Sequence, residues 1–431
     1  RWRDSRPELL RAADEVVDVL RRDESGGDRP DPALPDVAVR QFAGLFDERY
    51  GGFVDAPKIP TPHNLLFLLA YSRIRGGGDA LHMAEITLTQ MRKGGLFDQI
   101  GYGFCRYSTD RYFLVPHFEK MLYDNALLML AYTAAYAATR KPLYRDTAEK
   151  TAAYILREMT APEGGFYSAQ DADSSGVEGK YYLFGYEELL SVLGEETGRE
   201  FNAYYGVTRQ GNFDGANIPN RLHGEGEEGV FDQVIPKVYA YRRERERLHL
   251  DDKLLTGWNA LMIAAFSLLY RATGTPVYLE AARRAQQFIE GHLSQDGRLF
   301  VGYRNGRRSG SGFLDDYAYY AAGLIGLYEA TLEGVFLQRA QELCREAVRQ
   351  FGDADGGFFL SGRENEGLIL RPKETYDGAL PSGNGTMAYV LVRLSQLTRE
   401  AEWEEAAERQ LAFLSGQAAD YPAGHSLFLL S

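Results

Sequence analysis

Cysteine is nearly missing from this chain of 431 residues: Cys105 and Cys344 are the only two, far apart in sequence. Two thiols cannot build a disulfide framework, and without a CxxC there is neither a redox pair nor a thiolate metal clip. The seven histidines fall in no HExxH or other ligand-like spacing, so no metal and no cofactor is expected. A GxGxxG in strand–turn–helix context, a P-loop and a nucleophile elbow are also missing, and GYGF at 101–104 is none of them. Positive charge is short as well. The net charge is −13, and the one dense basic run, YRRERER at 241–247, is interleaved with glutamate and reads as a solvated helix surface. A nucleic-acid partner is not expected from such a charge balance. No apolar run is long enough to cross a bilayer, so no membrane partner is expected; LLFLLAY at 65–71 and LMIAAFSLLY at 261–270 fit buried helix faces. The first residues, RWRDSRPELL, contain neither an initiating methionine nor a secretory apolar segment. They lead to the expectation of a fragment or processed product with a cytoplasmic home.

What is present is apolar content and helical periodicity. Apolar residues make up 45% of the chain, enough for a large core. Residues 1–36 read as an arm or remnant linker: a charged helical stretch at 6–22 runs into DESGGDRPDPALP. From 37 to 431 one helical grammar recurs, with amphipathic runs at about 37–47, 62–75, 80–93, 120–138, 143–160, 186–196, 198–206, 256–272, 277–293, 315–331, 334–351, 383–397 and 401–415. Between them sit glycine–aromatic turns: GGF at 51–53, GGLF at 94–97, GGFY at 164–167, GNF at 211–213, DGRLF at 296–300 and GGFF at 356–359. Glycine permits the tight reversal and the aromatic that follows inserts into the seam between hairpins. Six such markers amount to a degenerate repeat. About twelve core helices in pairs predict an all-α (α/α)6 toroid, with an open α-solenoid as the alternative. The strand-like pieces YYLF at 181–184 and FFL at 358–360 predict small β-hairpins in the mouth loops. A core of this size buries its own apolar faces, so a monomer is expected.

The chain is organised around 94–125, GGLFDQIGYGFCRYSTDRYFLVPHFEKMLYDN. It crowds Asp98, Arg106, Tyr107, Asp110, Arg111, His117, Glu119, Lys120 and Asp124 among aromatics in a long loop and a helix start. Long loops on a rigid scaffold are where binding chemistry sits. A helix beginning at Pro116 or His117 would place His117, Lys120 and Asp124 on one face, with Glu119 and Tyr123 in the neighbouring stripe. That set serves proton transfer and anion stabilisation, or alternatively a helix-start ion-pair network. Asp171 and Asp173, followed by Glu178, read as a cation loop, a sugar-hydroxyl contact or a solvated turn. Asp252 precedes Trp258 and Asn259, a carboxylate with a stacking wall and a hydroxyl-binding amide. Asp315 and Asp316 precede Tyr317, and Glu374, Tyr376 and Asn384 occupy the loop before the helix at 383. In a toroid these helix starts converge at one mouth. Paired carboxylates beside aromatic platforms are what carbohydrate chemistry needs, one acid protonating the leaving oxygen while the other activates water or attacks. His117, Asp124, Asp252, Asp316 and Glu374 are the candidate catalytic groups, with Arg106, Tyr107, Glu119, Lys120, Tyr123, Asp171, Asp173, Trp258, Asn259, Asp315, Tyr317, Tyr376 and Asn384 as candidate substrate contacts.

Through Gly95–Tyr107, VPHFEKMLYDN at 115–125, Gly164–Asp173, Asp251–Asn259, Gly312–Tyr317 and Arg371–Asn384 the chain resembles the YyaL family of bacterial proteins, relatives of spermatogenesis-associated protein 20. The match begins near residue 37 and runs through nearly the whole remainder. The resemblance implies a helical barrel of the six-hairpin glycosidase type, akin to N-acylglucosamine 2-epimerases, joined in full-length members to a thioredoxin-like domain that this chain lacks. It implies a small sugar or glycosylated ligand, and a reaction of the glycoside-hydrolase or sugar epimerase/isomerase kind. The alternative is a noncatalytic sugar- or peptide-binding scaffold serving the thioredoxin-like domain. No histidine pair of the epimerase type is evident at the helix starts, where Asn259 and Ser382-Gly383-Asn384 stand instead.

Overall fold

Residues 2, 5–22, 27, 29–224, 226–363, 365 and 370–431 are described in the computed structural model. Two helices, α1 (Arg6–Arg22) and α2 (Leu34–Leu45), precede two hairpins, α3 (Pro62–Arg75) with α4 (Gly78–Lys93) and α5 (Leu122–Thr139) with α6 (Pro142–Glu158). An excursion of α7 (Tyr186–Leu193), α8 (Glu195–Tyr204) and α9 (Ile235–Arg245) follows. Three more hairpins complete the chain: α10 (Thr256–Thr273) with α11 (Pro276–Phe288), α12 (Leu314–Thr331) with α13 (Gly334–Phe351), and α14 (Gly383–Thr398) with α15 (Ala401–Ala418).

One local device ends the first helix of every hairpin. Gly76, Arg140, Gly274, Leu332 and Arg399 each adopt a left-handed conformation just past the last turn, and each amide bonds back to the carbonyl four residues earlier. That cap stops the helix and a two-residue link returns the chain antiparallel. The first helices α5, α10, α12 and α14 are apolar nearly all round and become the inner ring, while their amphipathic partners cover them. Neighbours pack in the order α3, α5, α10, α12, α14. Among the described residues, five inner places hold α-helices. The sixth is closed by 3-10 turns at Pro422–His425 and Phe428–Leu430: the first packs on α2, the outer helix of that pair, and the second touches both α14 and α3.

The (α/α)6 toroid is therefore present, but the helices expected at 186–196 and 198–206 do not form one of its hairpins. α7, α8 and α9 stand outside the ring around a separate small core of Phe184, Leu189, Phe201, Tyr204 and Val238. The basic run is corrected too. Arg242 is buried and Arg245 is bonded to Glu188 and three backbone carbonyls, so α9 turns two arginines inward. Mouth hairpins exist, though not where expected. YYLF and FFL make only single bridges, Phe184 with Asn217 and Phe358 with Gly352. The longest ribbon pairs Arg298–Arg304 with Arg307–Ser311. At the start of the chain, α2 begins at Leu34, within the span read as an arm, and Leu34 and Ala38 are buried.

The glycine–aromatic turns are fastened by asparagines, two of which, Asn259 and Asn384, sequence reading placed in the substrate site. Asn259 accepts from the Phe166 amide at 2.7 Å and donates to the carbonyls of Phe166 and Leu255 at 2.9 Å each. Asn125 holds Phe104 in the same way, and Asn384 holds Phe358 while also donating to the Glu374 carbonyl at 2.8 Å. All three amides are fully buried. Gly357 shows why glycine stands in these turns: its φ is 74° and a Cβ there would lie 2.4 Å from the Phe413 ring. Both side-chain donors of Asn259 and of Asn384 are spent on backbone carbonyls, and the Asn384 oxygen accepts from Gln410 as well as from Phe358. Asn259→Ala, which takes the side-chain partner from the buried amide and carbonyl of Phe166, is expected to cost about 2–4 kcal/mol of stability in urea unfolding.

Candidate functional site

The entry to α5 is a strand, not a helix. Pro116–His117 pairs with Tyr107–Ser108, and Lys120–Met121 pairs with Ala169–Gln170. From Pro116 to Leu122 burial alternates strictly, with Phe118, Lys120 and Leu122 inward and His117, Glu119 and Met121 half-buried. The expected shared face of His117, Lys120 and Asp124 is therefore split. His117 and Glu119 point to the mouth together: His117 Nδ1 lies 2.7 Å from Glu178 and its Nε2 3.7 Å from Glu119, with the ring stacked on Tyr107 at 5.3 Å. Arg106 approaches Glu119 at 3.6 Å and hydrogen-bonds Tyr123. Glu178 being committed to His117, the cation loop is not assembled. Asp171 and Asp173 are exposed on the rim, where the Asp173 amide bonds Asp171. Among the described residues no group of three or more His, Cys, Asp or Glu is placed to hold a metal ion.

Lys120 points the other way. Its ammonium lies 2.8 Å from Asp98 and 2.7 Å from the Tyr102 carbonyl, buried against Tyr154 and Tyr182. Arg242 grips Asp98 with both guanidinium nitrogens at 2.9 and 2.8 Å. Burial alone would raise the Asp98 carboxyl, yet Arg242 and Lys120 hold it well below the usual carboxylate range. This triad locks the long mouth loop to α9, and Lys120 is unavailable to a ligand. Cys105 lies beside it with its thiol pushed up to about 12 by burial, and Cys344 is pushed up to about 12 likewise. Neither thiol is a nucleophile at neutral pH.

The groups that do converge come from the starts of α10 and α12 and the loop before α14. A cavity of about 270 Å3 is lined by Trp258, Asp315, Asp316, Tyr319 and Glu374, with an apolar wall that includes Leu255, Phe313 and Leu380. Trp258 is half-buried and its ring meets Tyr123 edge-on at 4.8 Å, joining this cavity to the α5 side of the mouth. Asp315 sits against the first residue of α14. The Gly383 amide bonds it, and a Cβ at Gly383 would lie 2.3 Å from Asp315 Oδ1, so glycine makes the approach possible. Burial pushes the Asp315 carboxyl up to about 6, the like charge of Glu374 adds to the rise, and the Gly383 amide opposes it.

Asp316 differs from its neighbour. Its Oδ1 accepts from the Gly257 amide and its Oδ2 from the Phe313 amide, each at 2.9 Å. It caps α12 and ties α12 to α10; burial pushes it up to about 7 against those two bonds. Asp315, read from sequence as a contact, is thus the freer of the pair. Asp124 lies in the first turn of α5, buried with Oδ2 unpartnered, and burial pushes it well above the usual range although Arg106 opposes. Asp252 is on the rim, paired with Arg304 at 2.5 Å. The Tyr317 hydroxyl accepts from the Leu299 amide at 3.0 Å and serves the fold. Tyr376 is exposed and packs on Tyr421 and His425 of the terminal turns.

Two residues stand outside the expected site set. Tyr319 lines the cavity one helical turn after Asp315 and donates to the Pro381 carbonyl; the i, i+4 spacing in DDYAY was the available signal. His63, at the start of α3, is fully buried with both ring nitrogens unpartnered, and burial pushes it down to about 3. Nothing in its local sequence distinguishes it.

The ring of hairpins is an (α/α)6 toroid. Cellobiose 2-epimerase from Spirochaeta thermophila has this fold, with a TM-score of 0.57 and 16% identity over 94% of this chain and 85% of that one. A D-mannose isomerase scores 0.58 at 12% identity, covering 89% and 86%. A family 76 α-mannanase from Bacteroides thetaiotaomicron scores 0.53 at 11%, covering 89% and 82%. In sequence the chain is similar to spermatogenesis-associated protein 20. It is 34% identical to the mouse protein over 93% of its own length, spanning 58% of that relative, and 34% identical to the human one, spanning 59%. No protein-family model matches the chain. Among the described residues no helix is long and apolar enough to cross a membrane.

Proposed function

We propose that the mouth is the active site of a saccharide-processing enzyme of the glycoside-hydrolase kind, with Asp315 as general acid and Glu374 as its carboxylate partner. The observation that carries this reading is the acid pair in one cavity beside an aromatic platform: Asp315 raised to about 6, Glu374 close enough to raise it, and Trp258 in the wall. A raised carboxyl donates its proton to a leaving oxygen near neutral pH, and an ionised partner activates water or attacks the ring carbon. Trp258 offers the apolar face on which a sugar ring stacks. Small-molecule sites run from roughly 300 to 1,000 Å3, so a cavity of about 270 Å3 suits a single ring. Hydrolysis is preferred to epimerisation because histidine is missing from the lining and carboxylates are not. The greater length of the relatives leaves room for the expected thioredoxin-like companion domain, and a cytoplasmic setting belongs to the same proposal.

A panel of nitrophenyl glycosides, followed by release of nitrophenolate, tests this reading. One or more should turn over, and Trp258→Ala should raise KM about tenfold with a smaller effect on kcat. An inert panel, together with no saccharide binding by calorimetry, rejects the proposal.

A further inference from the structure

A second, larger cavity lies on the barrel axis, away from the acidic mouth. Its volume is about 420 Å3 and all five inner helices line it. Leu66, Leu130, Leu268 and Ile325 form its walls, and Ala264 and Gly326 keep its bore open. The inner helices run in parallel, so the cavity has two unlike ends. At the last turns it reaches solvent between the exposed Arg73 and Arg271. At the first turns it stops at His63, which is fully buried.

Both ends carry chemistry that a plain packing defect would not. Glu329 lies 2.5 Å from Arg271 and also pairs with Arg393. With Arg73 that makes three guanidiniums against one carboxylate, an excess of positive charge on a chain whose net charge is −13. At the closed end both nitrogens of His63 lack a hydrogen-bond partner. The ring is neutral there, since burial pushes its pKa down to about 3, and a neutral imidazole presents one donor and one acceptor. A buried polar group left unpaired is costly, so an occupant able to both donate and accept would be favoured at this point.

We infer that the axial cavity is a binding site for a single-chain amphiphile, whose anionic head meets Arg73 and Arg271 and whose far end carries a hydroxyl that meets His63. His63 and Arg73 are ten residues apart on α3, about 15 Å along the axis. An extended chain advances roughly 1.2 Å per bond, so about a dozen chain atoms span the site. The occupant is thus a medium-length hydroxylated fatty acid or a close chemical equivalent. This inference does not depend on the reaction proposed for the mouth.

Calorimetric titration of the whole chain with dodecanoate and ω-hydroxydodecanoate, both below their micellar range, tests it. The hydroxylated chain should bind about tenfold tighter than the plain one, and His63→Phe should reverse that preference. Replacing Arg73 and Arg271 together with alanine should weaken both ligands about tenfold. Leu268→Trp, near the open end, should abolish binding while leaving the melting profile and any activity at the mouth unchanged. Failure of both chains to bind overturns the inference. So does binding that survives Leu268→Trp, or a preference for the hydroxyl that His63→Phe leaves intact.

Discussion

Asp315→Asn is expected to lower kcat by about 10^2–10^4-fold on any glycoside that the protein turns over, with little change in thermal stability. The asparagine keeps an oxygen for the Gly383 amide but has no proton to give. In the native protein the acid must be protonated to act. Burial and Glu374 set the Asp315 pKa at about 6, so kcat/KM should fall about tenfold per pH unit above that value. Glu374→Gln removes the neighbouring like charge. It should abolish turnover and also move the Asp315 titration, followed by carbon NMR of the carboxyl, down toward the ordinary 3.8. The same shift bears on stability. Asp315 holds its proton more tightly in the folded chain than in the unfolded one, so its contribution is full below about pH 4 and lost as pH rises through about 6. The fall in melting temperature between those values should therefore be smaller in Asp315→Asn. An unchanged kcat in that variant, or an Asp315 titration indifferent to Glu374→Gln, would remove Asp315 from the mechanism.

Arg242→Ala should be among the most damaging single changes, with a loss of about 3–5 kcal/mol in urea unfolding. The arginine is buried and bonds both oxygens of Asp98. Its removal leaves a buried carboxylate with Lys120 and the amides of Ile100 and Gly101 as its remaining partners. The damage should be localised first. Amide exchange should accelerate in α7, α8 and α9 and in the mouth loop from 98 to 121, which the triad joins, before it does in the inner ring. A loss below about 1 kcal/mol would mean that the ring of hairpins, and not this triad, positions the mouth.

The inner–outer alternation was legible because helical periodicity and paired turns are local, and five of the six hairpins are specified by runs that cap and reverse on themselves. The glycine–aromatic repeat was legible for the same reason. Its fasteners were not. Asn259 and Asn384 look like ligand contacts in sequence, and only the fold shows that their amides, like that of Asn125, are spent on the backbone of a turn up to 93 residues away. Lys120 and His117 were placed on one face because a helix was assumed through them. Pairing with strands at 107–108 and 169–170 imposes a period of two instead and sends them to opposite sides. α7 and α8 are good helices with no local mark that they leave the ring.

The sequence by itself determined that the chain is a series of helical hairpins with acidic and aromatic helix starts, since periodicity, capping and composition act over a few residues. Closure of the ring over an open solenoid came from the terminal turns packing on α2, α3 and α14. The tertiary structure alone decided which carboxylates do structural work. Asp98, Asp316 and Asp252 are engaged by partners far along the chain, whereas Asp315 and Glu374 share a cavity. Burial and neighbouring charge set the state of a carboxyl, and both depend on segments that meet only after folding.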